Sequence, residues 1–218
     1  MVFEHDRAGR LIEAQEFEHL EFDAWRFDPE LLSELRDGAS QSVTVEGDLV
    51  AIHHLYIERK VEPLDLFLRR APEHECRLAV LDFGQAIRDL ARTNIFPGDL
   101  LLKNFGVTRQ GRVTFYDYDE LCQVTDCRFR DLPEPEDDDE MMSPEPWFFV
   151  GEHDIFPAEF LSFMGLGEAQ RTTLLGSHAE IFTADFWRTI SARHKSGEVL
   201  DVFPYPPAKS LTAGRSHS

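Results

Sequence analysis

The chain of 218 residues contains 41 acidic and 22 basic residues, which gives a formal net charge of −19. This excess of acidic residues argues against binding to nucleic acids and to anionic membrane surfaces, because both need a stripe of basic residues that neutralises phosphates. Hydrophobic residues make up 42% of the chain, which suffices for a packed core. No apolar run approaches the length of a membrane span, and the amino terminus does not have the pattern of a signal peptide, so we expect a folded cytoplasmic protein.

The first predicted element is a hairpin, which follows a polar and mixed amino-terminal stretch. The segment SVTVEGDLVAIHHLYIE, residues 42–58, alternates β-branched and polar residues on both sides of a Glu46-Gly47-Asp48 turn. His53 and His54 would point to opposite faces of the second strand, so we expect no joint metal site there.

Next along the chain, residues 78–93 predict an amphipathic helix. Its expected buried face consists of Val80, Phe83, Ile87, Leu90 and Ala91. A Pro-Gly break follows, and FGVTRQGRVTFYDYD then predicts a second hairpin with its turn at residues 109–111. Helical patterns occupy residues 157–195, whereas the acidic segment 131–140 and the tail 204–218 predict loop and disorder.

The three cysteines are expected to be free thiols. Their number is too small and odd for a disulfide framework. A zinc site at Cys122 and Cys127 would need further ligands, and the sequence places none nearby.

Most of the candidate catalytic and metal-binding residues lie in residues 96–120, FPGDLLLKNFGVTRQGRVTFYDYDE. Asp99 and Asn104 have the spacing of a protein-kinase catalytic loop, in which the Asp orients the attacking hydroxyl and the Asn reaches a phosphate-bound metal. Lys103 would place a positive charge beside the transferring phosphoryl group. Asp117 follows the predicted hairpin, where kinases carry the metal-binding Asp of their D-F-G motif.

A simpler interpretation of the same stretch stays open. Asp117, Asp119 and Glu120 would form a solvated rim, and Asp99 would cap a turn. Three carboxylates within four residues repel one another unless a cation lies among them, and Mg²⁺ is commonly held by one or two carboxylates plus phosphate oxygens. The pattern therefore favours a metal and phosphate site over the rim.

Longer stretches extend this pattern into a family resemblance. The segments HHLYIERKVEPLDLFL, NIFPGDLLLKNFGVTRQGRVTFYDYDELC and FRDLPEPEDDDEMMSPEPWF resemble the carboxyl-terminal part of bacterial isocitrate dehydrogenase kinase/phosphatase. EHDRAGRLIEAQEFEHLEF near the start and HAEIFTADFWR near the end are also similar to that family. The resemblance runs across almost the whole chain.

This resemblance implies a bifunctional enzyme with a kinase-like fold. Such an enzyme phosphorylates and dephosphorylates a serine of isocitrate dehydrogenase, and so controls flux between the tricarboxylic acid cycle and the glyoxylate bypass. One nucleotide site for ATP or ADP and a divalent metal, Mg²⁺ or Mn²⁺, would serve both activities. By matching position, the implicated residues are Asp99, Lys103, Asp119 and Glu120 for catalysis, with Asn104 and Asp117 as metal ligands.

The resemblance also implies roles for residues nearer the amino terminus. Tyr56, Ile57 and Glu58 fall where a kinase hinge would offer backbone groups to adenine. Glu13 occupies a place where the family usually carries an Asp with an active-site role, and its extra methylene would displace the carboxylate. An exposed helical acid is an equally good interpretation of Glu13.

Two departures from the kinase pattern bear on activity. The sequence contains no G-x-G-x-x-G loop and no recognisable nucleotide Lys upstream. The long amino-terminal region that the family associates with AMP control is also missing. We therefore expect a carboxyl-terminal part that is a poor or inactive kinase alone, with AMP regulation only where that region is present.

The predicted fold class is α+β, with residues 1–55 as a partial small-lobe remnant, 56–203 as a kinase-like and mainly helical large lobe, and 204–218 as a tail. Isocitrate dehydrogenase is the expected protein partner, and a homodimer is a further expectation. The alternative function is a non-catalytic lobe that binds nucleotide or isocitrate dehydrogenase without turnover.

Overall fold

The computed structural model describes residues 6–133 and 148–202. The chain divides into two compact units, a smaller one from Ile12 to Arg59 and a larger one that combines Met1–Leu11 with Lys60–Ser218. Helices and strands occur in both units, which confirms the predicted α+β class. The correspondence of these units to kinase lobes stays a prediction. Most of the predicted acidic loop, residues 134–140, and the predicted tail, 204–218, lie outside the described residues.

The smaller unit is a three-stranded antiparallel sheet with one helix. Its elements are β1 (Gln15–Asp23), α1 (Pro29–Gly38), β2 (Val43–Glu46) and β3 (Leu49–Ile57), in the strand order β1-β3-β2. The pairing of β2 with β3 confirms the first predicted hairpin. β1 carries no clear strand signal, because Phe17, Leu20 and Phe22 depart from a strict two-residue alternation.

The two neighbouring histidines of β3 have separate partners in this sheet. His53 is hydrogen-bonded through Nε2 to the Thr44 hydroxyl at 2.9 Å, and His54 Nε2 lies 2.6 Å from a carboxylate oxygen of Glu16. Among residues 6–133 and 148–202, no three His, Cys, Asp or Glu side chains are grouped as a metal site would require. Each histidine thus contacts a side chain of a neighbouring strand, and the expectation of no joint metal site stays a prediction.

The described part of the larger unit contains seven short strands. They are β4 (Val61–Pro63), β5 (Ile95–Phe96), β6 (Phe105–Thr108), β7 (Val113–Phe115), β8 (Cys122–Gln123), β9 (Arg128–Phe129) and β10 (Asp154–Ile155). An antiparallel sheet has the order β4-β6-β7, β5 pairs antiparallel with β8, and β9 pairs parallel with β10. The β6–β7 pair places Phe105 opposite Phe115 and confirms the second predicted hairpin.

Five α-helices complete the described part of the larger unit. They are α2 (Leu64–Arg70), α3 (Glu73–Arg92), α4 (Phe160–Phe163), α5 (Glu168–His178) and α6 (Ala184–Lys195). α3 begins earlier than predicted because Pro72, with extended backbone, precedes its first turn. The predicted apolar face of α3 is fully buried. None of the described helices is long and apolar enough to cross a membrane.

An aromatic cluster packs against Phe96 of β5. Trp187 of α6 is fully buried and lies 5.3 Å, between ring centroids, from Phe96 and 5.1 Å from Phe129. The Trp187 indole nitrogen donates a hydrogen bond to the carbonyl oxygen of Ile181 at 2.8 Å, so its polar atom is satisfied. Phe96 is therefore held in the core, which fixes the position at which residues 97–104 begin.

The close packing of α3 against α5 depends on Gly84. A β-carbon at Gly84 would lie 2.3 Å from Cδ2 of His178 on α5, and both residues are buried. Alanine normally stabilises a helix interior by up to about 1 kcal/mol relative to glycine. Here the clash should reverse the sign, and we expect Gly84→Ala to destabilise the protein by about 1–3 kcal/mol in urea unfolding.

Gly176 of α5 provides the matched control for this prediction. A β-carbon there would meet no atom within 4 Å. Gly176→Ala should therefore stabilise the protein by about 0.5–1 kcal/mol. Midpoints that shift in the same direction in both variants would contradict the close approach of α3 and α5 at Gly84.

Candidate active site

Two loops of the larger unit lie side by side and carry most of the predicted site residues. Loop 97–104 joins β5 to β6, and loop 116–121 joins β7 to β8. Because β5 pairs with β8 and β6 pairs with β7, all antiparallel, the two loops are held together at both of their ends. Strand pairing therefore places the predicted catalytic loop beside the predicted metal-binding segment.

At the first end, the backbones of the two loops approach each other at Gly98. This residue has a left-handed backbone conformation, with φ 74°, and a β-carbon there would lie 2.6 Å from Cβ of Glu120. A side chain at this position would be both strained and obstructed. Glycine thus permits the contact that brings Asp99, the next residue, close to the segment containing Asp119 and Glu120.

At the second end, Tyr116 joins the two loops. Its backbone N–H donates to the carbonyl oxygen of Asn104 at 3.1 Å, and its hydroxyl donates to the carbonyl oxygen of Lys103. Burial raises the pKa of Tyr116, and the carboxylates of Asp65 and Asp117 act in the same direction, which keeps the hydroxyl protonated as a donor. This contact fixes the backbone of loop 97–104 immediately beside Asp117.

The side chains of this site differ in exposure. Asn104 is buried, at 5% exposed, and its Nδ2 lies 3.5 Å from the backbone oxygen of Asp99. Asp117 is half-buried, whereas Asp99 and Lys103 are exposed. The arrangement combines a buried amide and a half-buried carboxylate with an exposed acid and an exposed ammonium group. Asp119 and Glu120 are also exposed, on the neighbouring turn.

The oxygen donors of Asn104 and Asp117 suit a hard divalent cation. An amide oxygen and a carboxylate are ligands that Mg²⁺ or Mn²⁺ accepts, and Mg²⁺ in nucleotide sites takes its other ligands from phosphates and water. No grouping of three His, Cys, Asp or Glu side chains occurs within the described ranges. Two oxygen ligands leave most positions of an octahedral cation open, so these residues fit a cation whose other ligands are phosphate and water oxygens.

The remaining predicted site residues belong to the smaller unit. Tyr56 and Ile57 lie at the end of β3 and are 58% and 45% exposed, and Glu58 follows them as an exposed residue. Glu13 is exposed and precedes β1 rather than lying in a helix, so the interpretation of Glu13 as a helical acid is wrong. The active-site role of Glu13 and the contact of residues 56–58 with adenine stay predictions.

A buried ionic cluster in the larger unit was not predicted. Arg10 is 2% exposed, and its guanidinium bonds Asp89 at 2.8 Å and both carboxylate oxygens of Asp82 at 2.8 and 3.0 Å. Asp82 also accepts from the backbone N–H of Val113 at 2.6 Å. The only sequence signal was that two acids, seven residues apart on α3, border its apolar face. Segment 6–11 is thereby attached to α3 and β7.

Burial alone would lower the pKa of Arg10, but its bonds to Asp82 and the charge of Asp89 raise it, so the cation is retained. The same segment pairs with the hairpin, because the Phe115 N–H donates to the Arg10 carbonyl oxygen at 2.7 Å. The cluster therefore supports the strand from which Tyr116 and Asp117 emerge.

Comparison with known proteins identifies the family to which these features belong. The profile of the isocitrate dehydrogenase kinase/phosphatase (AceK) kinase domain matches residues 1–207. Proteins named isocitrate dehydrogenase kinase/phosphatase are 56% identical over 98% of this chain in Anaeromyxobacter sp. (strain Fw109-5) and 46% identical over 97% in Xanthomonas campestris pv. campestris (strain 8004). The chain spans only 37% and 36% of the lengths of these relatives. The chain belongs to the isocitrate dehydrogenase kinase/phosphatase (AceK) kinase-domain family.

Proposed function

We propose that this chain carries the phosphoryl-transfer site of a cytoplasmic isocitrate dehydrogenase kinase/phosphatase, built on a fold like the large lobe of a protein kinase. The observation that supports this most is the pairing of loops 97–104 and 116–121. It places Asn104 opposite Tyr116, directly before Asp117. Relatives that carry the same kinase domain are named for the modification of isocitrate dehydrogenase, which we propose as the protein substrate.

Asp99 and Lys103 would act on the reacting groups. Asp99 is exposed at the start of its loop, so its carboxylate can accept the proton of an incoming serine hydroxyl and orient the oxygen for attack. Lys103 is exposed at the other end of the same loop, and its ammonium group can bind an oxygen of the transferring phosphoryl group. The two side chains thus supply a base and a cation on one short segment.

Asn104 and Asp117 would hold the Mg²⁺ of the nucleotide. When bound, this cation neutralises phosphate charge and aligns the terminal phosphoryl group for in-line transfer. Burial of Asn104 and the backbone contact of Tyr116 with Asn104 hold the chain at both ligands, which lowers the entropy lost on binding.

Asp119 and Glu120 would serve the phosphatase half. Both are exposed on loop 116–121, and Glu120 lies beside Gly98 of the other loop. A carboxylate in this place can accept a proton from water as the water attacks a phosphoserine. One site could then run both reactions, with Asp99 serving the hydroxyl and Asp119 or Glu120 serving the water.

Tyr56, Ile57 and Glu58 would contact adenine through their backbone. In the described chain, pairing of β2 with β3 ends at Ile52, so the last residues of β3 have no strand on that edge. Backbone N–H and C=O groups on such an edge can bind the polar edge of a base.

A second candidate is a non-catalytic module that binds nucleotide or isocitrate dehydrogenase without turnover. It is favoured by the lack of a G-x-G-x-x-G sequence, since backbone donors of that loop stabilise the transferring phosphate in kinases. This candidate keeps the metal and phosphate ligands and differs only in the chemical step.

Calorimetric titration of the purified chain with ADP tests the site. Binding is expected in the presence of Mg²⁺ and should be lost when EDTA replaces the metal. Absence of binding in a protein with native far-UV circular dichroism would contradict the proposed site. Transfer of phosphate from ATP to isocitrate dehydrogenase then separates the enzyme from the binding module, since only the enzyme yields phosphoserine.

A further inference from the structure

Two of the three cysteines lie close together at the base of loop 116–121. Cys122 begins β8 opposite Phe96, and Cys127 immediately precedes β9. Their sulfur atoms are hydrogen-bonded at a distance of 3.5 Å, and both side chains are half-buried. The proposed phosphoryl-transfer chemistry uses neither thiol.

The backbone between the two cysteines is a well-supported turn. The Asp126 N–H donates to the Gln123 carbonyl oxygen at 3.0 Å, and the Thr125 N–H donates to Oδ1 of Asn94 at 3.1 Å. This turn keeps the two sulfurs adjacent. A disulfide bond is about 2.05 Å long, so formation of the bond brings the sulfurs closer by about 1.5 Å.

The two thiols are chemically unequal. The hydrogen bond with Cys127 lowers the pKa of Cys122, against the opposing effects of burial and of Asp126, whereas the same bond and burial raise the pKa of Cys127. The thiolate is the reactive form of cysteine, so Cys122 is the more nucleophilic member of the pair.

The described side chains around this pair do not form a metal site. In the parts of the chain that the structure describes, no third His, Cys, Asp or Glu completes a metal-binding group with Cys122 and Cys127. Cys76 gives a useful contrast, because its thiol donates to the backbone oxygens of Leu68 and Ala71, at 3.5 and 3.4 Å.

We propose that Cys122 and Cys127 form an oxidation site that a hydroperoxide converts to an intramolecular disulfide. The Cys122 thiolate attacks the terminal peroxide oxygen, whose O–O bond breaks, and gives a sulfenic acid and the alcohol or, from hydrogen peroxide, water. The Cys127 sulfur then attacks the Cys122 sulfur, forms the S–S bond and expels the hydroxyl group as water. Two thiols are oxidised and one hydroperoxide is reduced.

The position of this disulfide connects it to the candidate site. Glu120 lies two residues before Cys122, and the β5–β8 pair that contains Cys122 holds one end of both loops. A covalent bond between the first residue of β8 and the residue before β9 would restrain the end of loop 116–121. This connection rests on the proposed function, whereas formation of the disulfide does not.

Peptide mass analysis after treatment with hydrogen peroxide tests the proposal on the whole chain. Trypsin cleaves after Arg112 and Arg128, so one peptide, residues 113–128, contains both cysteines. After exposure to a small molar excess of hydrogen peroxide and alkylation, this peptide should be unalkylated and lighter than its reduced form by a pair of hydrogen atoms. Cys76 should be alkylated, and dithiothreitol should restore both thiols.

Single variants assign the roles of the two sulfurs. Cys127→Ser should leave a sulfenic acid at Cys122 that dimedone traps. The Cys127 thiol of Cys122→Ser should react with hydrogen peroxide at about one tenth of the rate of the Cys122 thiol in Cys127→Ser, or more slowly. Cys76→Ser should form the disulfide as the wild type does. A wild-type peptide without the disulfide, a bond between two chains, or equal reaction rates in Cys122→Ser and Cys127→Ser would each overturn the proposal. None of these readouts requires nucleotide binding.

Discussion

Replacement of Arg10 by Met is expected to lower the free energy of unfolding by about 3–5 kcal/mol. The substitution removes the guanidinium that pairs with Asp82 and Asp89 and leaves two acids beside an apolar side chain. An uncompensated buried charge accounts for most of such a loss. Domains of this size are commonly stable by about 5–15 kcal/mol, so a large shift of the urea midpoint at unchanged m-value should result.

Arg112 supplies a control in the same part of the unit. Its side chain is half-buried and donates to the carbonyl oxygen of Ala8 at 2.6 Å, with no ion pair of its own within 4 Å among the described residues. Arg112→Met should therefore lose only about 0.5–1.5 kcal/mol. Addition of Asp89→Asn to Arg10→Met should restore part of the loss, since it removes one unpaired charge. Equal losses in the two Arg variants would show that the ion pairs contribute nothing beyond a hydrogen bond.

Asp117→Asn is expected to weaken binding of ADP with Mg²⁺ by roughly 100-fold or more. Two unit charges about 4 Å apart interact by about 4 kcal/mol at an effective dielectric constant of 20, and each 1.4 kcal/mol changes affinity about tenfold. The amide keeps the shape of the carboxylate and removes its charge. Calorimetric titration should show that any residual ADP binding no longer depends on Mg²⁺.

Asp126→Asn makes the same charge change outside the two loops. Asp126 is exposed in the turn after β8, so this variant should bind ADP and Mg²⁺ within about threefold of the wild type, because exposed charges are screened by solvent and salt. Loss of binding in both variants would point to the net charge of the protein rather than to a ligand at position 117. Unchanged binding in Asp117→Asn would remove Asp117 from the proposed metal site.

The local elements of this fold could be read from the sequence because each has a short repeating signal. α3 repeats apolar residues at helical spacing, and each predicted hairpin places alternating residues around a glycine turn. β1 was missed because its apolar residues do not alternate, and pairing with β3 holds it in place. Strand pairing is a long-range interaction, and a single segment carries little information about its partner.

The sequence by itself determined the residue types of the candidate site and their spacing, from Asp99 to Glu120. Tertiary structure alone decided how loops 97–104 and 116–121 meet. The Gly98 approach to Glu120, the Tyr116 bonds and the Arg10 cluster each join residues that are 12 to 79 positions apart. Such contacts depend on which surfaces pack together to bury the apolar faces of α3 and the hairpin, because hydrophobic burial selects the whole arrangement and not its separate segments.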